Sequence, residues 1–148
     1  MTTTATIAPR SLPSLSATPA LTRFVPAAGR LMMGTIFLAS GLSKLAAPGA
    51  TLGYIQSAGL PLPQVALSVA VLVEVGGSLL LICGYRARLV ALMLALFSVA
   101  TALAFHTAFA DQNQMIHFLK NLAMAGGLLQ VVAFGAGAFS LDARKGRV

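Results

Sequence analysis

Four stretches of this chain are long, apolar and almost free of charge: residues 26–45, 64–83, 89–108 and 115–139. A helix rises about 1.5 Å per residue, so about 20 apolar residues cross the roughly 30 Å hydrocarbon core of a bilayer. Inside hydrocarbon every backbone N–H and C=O must find its partner within the protein, which leaves helices and closed barrels as the only spanning structures. None of the four runs alternates with period two, so the barrel pattern is absent and each run reads as a transmembrane helix. Composition points the same way. Hydrophobic residues make up 57% of the chain and charged residues 9%, against about 25% charged in ordinary soluble domains. A water-soluble fold of 148 residues could not solvate its surface with so few charges.

The connections are short. Residues 46–63 carry Gly49, Gly53, Gly59, Pro61 and Pro63 and read as a loop with a brief interfacial turn near Tyr54. Residues 84–88 form a tight link, and residues 110–114, with Asp111, form a polar break. Links this short make neighbouring helices antiparallel, so the expected fold is an all-α membrane protein, a four-helix up-down antiparallel bundle. Gly34 and Gly41, Gly76 and Gly77, Gly126 and Gly127, and Gly135 and Gly137 offer small surfaces for close helix approach. Glu74-Val-Gly-Gly-Ser-Leu-Leu and Met124-Ala-Gly-Gly-Leu-Leu echo one another faintly, a weak sign of a duplicated hairpin. Residues 1–25 are rich in Thr, Ser, Ala and Pro and read as a disordered tail. They lack the compact apolar core of a secretory signal and only loosely share the character of an organellar transit peptide. Residues 140–148 read as a polar, basic tail.

Lys and Arg set the expected orientation. Arg10, Arg23 and Arg30 lie at the first end, Arg86 and Arg88 between the second and third runs, and Arg144, Lys145 and Arg147 at the last end. Residues 46–63 and 109–114 contain neither. With four spans all three basic groups fall on one side, which the positive-inside rule assigns to the cytoplasm together with both termini. Topology thus accounts for the net charge of +7. No stripe of basic and aromatic residues tracks a phosphate backbone, so nucleic acid is not an expected partner. The single cysteine, Cys83, excludes an internal disulfide and reads as a small apolar packing residue at a helix end.

Polar groups within the runs carry the functional expectations. A charge near the bilayer centre costs about 2.5–3.5 kcal/mol on insertion scales, so each needs a partner, a wet cavity or a route to the interface. Glu74 lies in the middle of the second run and is too short to snorkel, so it is either protonated or meets a cation. Lys44 ends the first run, with Ser40 and Gly41 on its face, and taken alone reads as an interfacial anchor. Arg30 reads as a headgroup anchor at the opposite end. His106 ends the third run, and His117, Lys120 and Asn121 open the fourth. On the four-span topology Lys44, His106, His117, Lys120 and Asn121 collect in the outer half with Glu74 beneath them. They are expected to surround one polar cavity. Lys44, Glu74, His106, Lys120 and Asn121 are its candidate ligand-binding residues, with Glu74 and His106 as candidate catalytic proton carriers. Such groups suit the oxygens of a quinone or a small anion. Two His and one acid are too few for a metal site, and His106 and His117 flank a single loop, too shallow for a buried haem. No dinucleotide fingerprint, P-loop or nucleophile elbow is present.

The chain also resembles the DoxX family of small four-helix bacterial membrane proteins. The resemblance runs from Arg30 to Asp142. It is carried by Arg30-Leu-Met-Met-Gly-Thr-Ile-Phe-Leu-Ala-Ser-Gly-Leu-Ser-Lys-Leu, Gly59-Leu-Pro, Glu74-Val-Gly-Gly, His106-Thr-Ala-Phe, Phe118-Leu-Lys-Asn-Leu-Ala-Met-Ala-Gly-Gly-Leu-Leu and Gly135-Ala-Gly-Ala-Phe-Ser-Leu-Asp. It implies that Arg30, Lys44, Glu74, His106, Lys120 and Asn121 belong to the family pattern, and leaves His117 outside it. It also implies residence in a bacterial inner membrane and association with membrane redox systems, among them quinone-linked sulfur oxidation and oxidative-stress complexes. The expectation is therefore a redox subunit binding a quinone-like molecule, an accessory to an oxidoreductase if enzymatic at all. Its expected partners are the lipid bilayer and other membrane redox proteins or copies of itself. Two alternatives stand beside it: a small proton-coupled transporter using Glu74, and a non-catalytic anchor that recruits soluble partners through its basic ends.

Overall fold

A computed structural model describes residues 19–146, all in helices and short connections with no strand among them. Six helices follow in order: α1 (Pro19–Ala46), α2 (Pro48–Ser57), α3 (Pro63–Cys83), α4 (Ala87–Phe105), α5 (Gln112–Phe134) and the single turn α6 (Leu141–Arg144). Four of them, α1, α3, α4 and α5, are long and apolar enough to cross a membrane. Leu72, Leu96, Leu103 and Phe134 point outward on these helices and remain exposed, which suits a surface facing hydrocarbon. The interior is made of Phe37, Leu81, Leu94, Ala95 and Leu128.

Close approaches fix the register. Gly34 on α1 meets Ile82 on α3, and Gly41 meets Val75 and Glu74, so the two helices run antiparallel. On α4 and α5, Arg88 reaches the Val132 carbonyl while His106 pairs with Gln114, again antiparallel. A Cβ placed on Gly34 would lie 2.4 Å from Ile82 Cγ1 and 3.3 Å from the Ser78 carbonyl, whereas one on Gly29 meets nothing within 4 Å. Gly34→Ala is therefore expected to destabilise the bundle by about 1–3 kcal/mol through overpacking. Gly29→Ala should be neutral or slightly stabilising. Unfolding in mild detergent compares the two.

Helix ends differ from the expectations, for local reasons. Helix α1 begins at Pro19, so residues 19–25 are helical and not part of a disordered tail; the rest of that expected tail lies outside the described residues. Pro26, a natural first-turn residue, sits inside the helix. The expected loop at residues 46–63 contains the three-turn helix α2, started by Pro48 in the first turn, and Pro63 starts α3 in the same way. The fourth span begins at Gln112, where Asp111 accepts a hydrogen bond from the Asn113 N–H at 2.8 Å. It stops at Phe134 rather than residue 139, because Gly135 (φ +83°) and Gly137 (φ +77°) turn the chain out of the helix. The third span ends at Phe105, not residue 108.

The expected polar tail is also built in as far as residue 146, the last of the described residues. Residues 135–146 fold back across the end of the bundle. The buried Asp142 carboxylate accepts the Arg86 and Ala87 N–H groups at 2.9 and 2.8 Å, holding the start of α4. Arg30 is no headgroup anchor. It is 1% exposed, and its guanidinium donates to the carbonyls of Leu81, Ile82 and Phe139. The last carbonyls of a helix lack the i+4 donor that the ladder supplies elsewhere; the Leu81 carbonyl also accepts the Gly84 N–H at 3.0 Å, Arg30 adds a second donor, and a cation at a helix C-terminus meets a favourable dipole. Cys83 is exposed rather than packed.

Candidate functional site

At the opposite end of the bundle, Ser40, Lys44 and Glu74 form a closed polar group where α1 crosses α3. Ser40 and Lys44 are four residues apart and share a face. Lys44 Nζ lies 2.9 Å from Glu74 Oε1 and 2.8 Å from Oε2, and it donates to Ser40 Oγ at 2.9 Å. Ser40 Oγ in turn donates to Glu74 Oε1 at 3.1 Å. Glu74 is 4% exposed. As an isolated carboxylate it would be costly there; as half of an ion pair it adds no net charge to the interior. Lys44 therefore turns inward, where its position alone suggested an outward anchor.

Backbone geometry brings the partners within reach. Residues Leu72–Gly76 form a π-helical turn inside α3, with Glu74 at its centre. Such turns insert one residue without breaking the helix and recur at functional positions. Across from it, a Cβ on Gly41 would stand 2.6 Å from Val75 Cγ2 and 3.1 Å from Glu74 Cβ. Glycine at 41 thus lets α1 and α3 approach until the short carboxylate meets the ammonium.

A second polar group lies between α4 and α5. His106 ends α4, and its Nδ1 is 2.8 Å from Gln114 Oε1. The amide oxygen can only accept, so Nδ1 is the donor in this contact, and Nε2 has no part in it. The His117 ring stacks on His106 with centroids 5.1 Å apart. Lys120 Nζ donates to His117 Nδ1 at 3.0 Å, and Asn121 Nδ2 donates to the His117 carbonyl at 2.9 Å.

One cavity of about 640 Å³ joins the two groups. Lys44, Glu74, His106, Lys120 and Asn121 all line it, and so does His117. Its walls are mostly apolar, including Phe37, Val69, Phe97 and Met124. Helix α2 forms one side through Thr51, Tyr54 and Ile55, with Tyr54 stacked on Phe105 at 5.3 Å. Arg30 is not part of it. Three contributors went unforeseen: the α2 wall, Thr101 and the link from Gln114 to His106. Pro48 was the available signal for α2, since proline after a short break commonly opens a helix. Gln114 lies eight residues beyond His106 across a turn, and no periodicity marks such a pair.

The family model for DoxX matches residues 25–107. The chain is 34% identical over 113 residues to inner membrane protein YqjF of Escherichia coli (strain K12), covering 76% of this chain and 85% of that protein. It is 33% identical over 120 residues to inner membrane protein YphA of the same organism, covering 78% of this chain and 86% of the relative. No solved structure matches the chain. With four helices of spanning length, a family match over more than half the sequence and relatives aligned over most of their length, this chain is a multi-pass inner-membrane protein of the DoxX family.

Proposed function

We propose that the protein binds a quinone-like molecule in the cavity between its helices and serves a membrane redox system. The observation that carries this reading is the cavity's division of labour. Apolar walls within the membrane domain suit a ring and an alkyl tail, while Lys120, Asn121 and the two imidazoles supply polar contacts for ring oxygens. A quinone supplies reversible uptake of two electrons and two protons, and the electrons would pass to or from a partner redox protein. Within the chain, His106 Nε2 is the uncommitted imidazole nitrogen available to exchange a proton with a ligand oxygen. Glu74, with both oxygens on Lys44, acts mainly to hold that ammonium in place.

The reading includes an orientation. Arg86, Arg88, Arg144 and Lys145 belong to the end where α3 meets α4 and the chain folds back. The positive-inside rule puts that end, and both termini, in the cytoplasm. The cavity then belongs to the outer half of the membrane.

A short-chain ubiquinone analogue titrated into protein in lipid nanodiscs tests the proposal. Saturable binding is expected, weakened about five- to tenfold by His106→Ala or Asn121→Leu, the loss of roughly one hydrogen bond. Absence of saturable binding to the unaltered protein would overturn the reading.

A further inference from the structure

The whole chain contains three acidic residues, and the structure engages each of them. Glu74 is paired with Lys44. Asp111 caps α5 through the Asn113 N–H and does not line the cavity. Asp142 holds the Arg86 and Ala87 N–H groups at the other end of the bundle. The cavity lining therefore holds two ammonium groups, Lys44 and Lys120, against one carboxylate. Lys44 is matched by Glu74, and among the described residues no carboxylate meets Lys120. The contact of Lys120 is His117 Nδ1, a neutral acceptor at 3.0 Å. An imidazole nitrogen that accepts from an ammonium carries no proton of its own, so His117 neither adds a charge nor cancels one. Asn121, one residue on, is uncharged.

We infer that the cavity selects a ligand with an ionised oxygen head, a carboxylate, phenolate or enolate on an apolar body, over its neutral counterpart, and that Lys120 makes the selection. The inference rests on the reading that a quinone-like molecule occupies this cavity, and it names the charge state of the head group that the cavity prefers. The physical basis is twofold. Apolar walls reduce dielectric screening, so an anion inside meets Lys120 more strongly than in water. Lys120 gives a charge-assisted hydrogen bond to either form of the ligand, and only the ionised form adds a direct attraction between opposite charges. With Glu74 already engaged, Lys44 does not compete for the same anion. Lys120 is exposed at the cavity surface, so it can remain hydrated when no ligand is bound and exchange that water for the ligand's oxygen.

Two probes sharing one body separate the charge from the shape: a 2-hydroxy-3-alkyl-1,4-naphthoquinone, ionised at alkaline pH, and its 2-methoxy ether, which cannot ionise. Each is titrated into the full-length protein in nanodiscs at alkaline pH. The hydroxy compound is expected to bind about tenfold more tightly. That preference should collapse towards parity in Lys120→Gln and survive in Lys120→Arg, and it should shrink as salt is raised. Equal binding of the two probes, or a preference that persists in Lys120→Gln, overturns the inference while leaving the cavity reading in place. Failure of both probes, and of the ubiquinone analogue, removes that reading as well.

Discussion

Lys44→Met is expected to destabilise the protein more than Glu74→Gln, although the two residues form one ion pair. Removing Lys44 leaves a 4% exposed carboxylate without its counter-charge and too short to reach the membrane interface. Breaking a buried pair in this way costs about 3 kcal/mol or more. Removing the charge from Glu74 leaves an ammonium on a four-carbon stem, whose side chain is already 24% exposed and lies in the last turn of α1. It can swing outward to the interface, so the expected loss is nearer about 1 kcal/mol, the scale of one hydrogen bond. The double variant Lys44→Met, Glu74→Gln should recover much of the loss, with a coupling of about 2 kcal/mol or more. Unfolding of all four proteins in one detergent closes the cycle. Equal, small and additive losses would mean that the pair contributes nothing beyond its separate side chains.

The same pair shows what a sequence reading can and cannot reach. The four spans were legible because lipid imposes one strong rule, about 20 apolar residues per crossing. The grouping of Lys44, Glu74, His106, Lys120 and Asn121 was legible because charge inside a membrane is costly enough to demand a companion. The identity of each companion was not. Glu74 meets Lys44 only because Gly41 lets the helices touch and a π-helical turn carries the carboxylate. Neither feature leaves a periodic signal. Gly135 and Gly137, both with positive φ, show the same limit. Glycine in a membrane segment reads equally as a packing surface or as a chain reversal, and only the surroundings decide. Arg30 went astray for a related reason. An arginine one turn inside a membrane boundary can snorkel, and nothing local reveals that residues 51 to 109 positions away supply carbonyls to hold it instead.

That buried arginine carries the second large effect. Arg30→Met is expected to cost about 3 kcal/mol or more and to loosen residues 135–146 from the bundle. The guanidinium joins the carbonyls of Leu81 and Ile82, at the end of α3, to that of Phe139 in the returning segment. Hydrogen bonds from a charged donor contribute about 1.5–3 kcal/mol each, and the carbonyls left behind lie in buried or part-buried positions. Methionine restores the volume and none of the donors. Gly84→Ala should reproduce the effect without touching Arg30. A Cβ there would lie 2.0 Å from Arg30 Nη1 and 2.5 Å from Ser140 Cβ, and φ at this position is +66°. The methyl group can be accommodated only by expelling the guanidinium or the segment containing Ser140, and the left-handed backbone adds its own strain. Trypsin provides the readout, since Arg144 and Lys145 lie in the segment that would be released. Cleavage there should accelerate at least tenfold in both variants, and far less in Arg88→Met, whose side chain makes one exposed hydrogen bond to Val132. If Arg30→Met lost stability with no change in cleavage, the guanidinium would be capping α3 alone. The return of the chain would then rest on Asp142 and its hold on the first turn of α4.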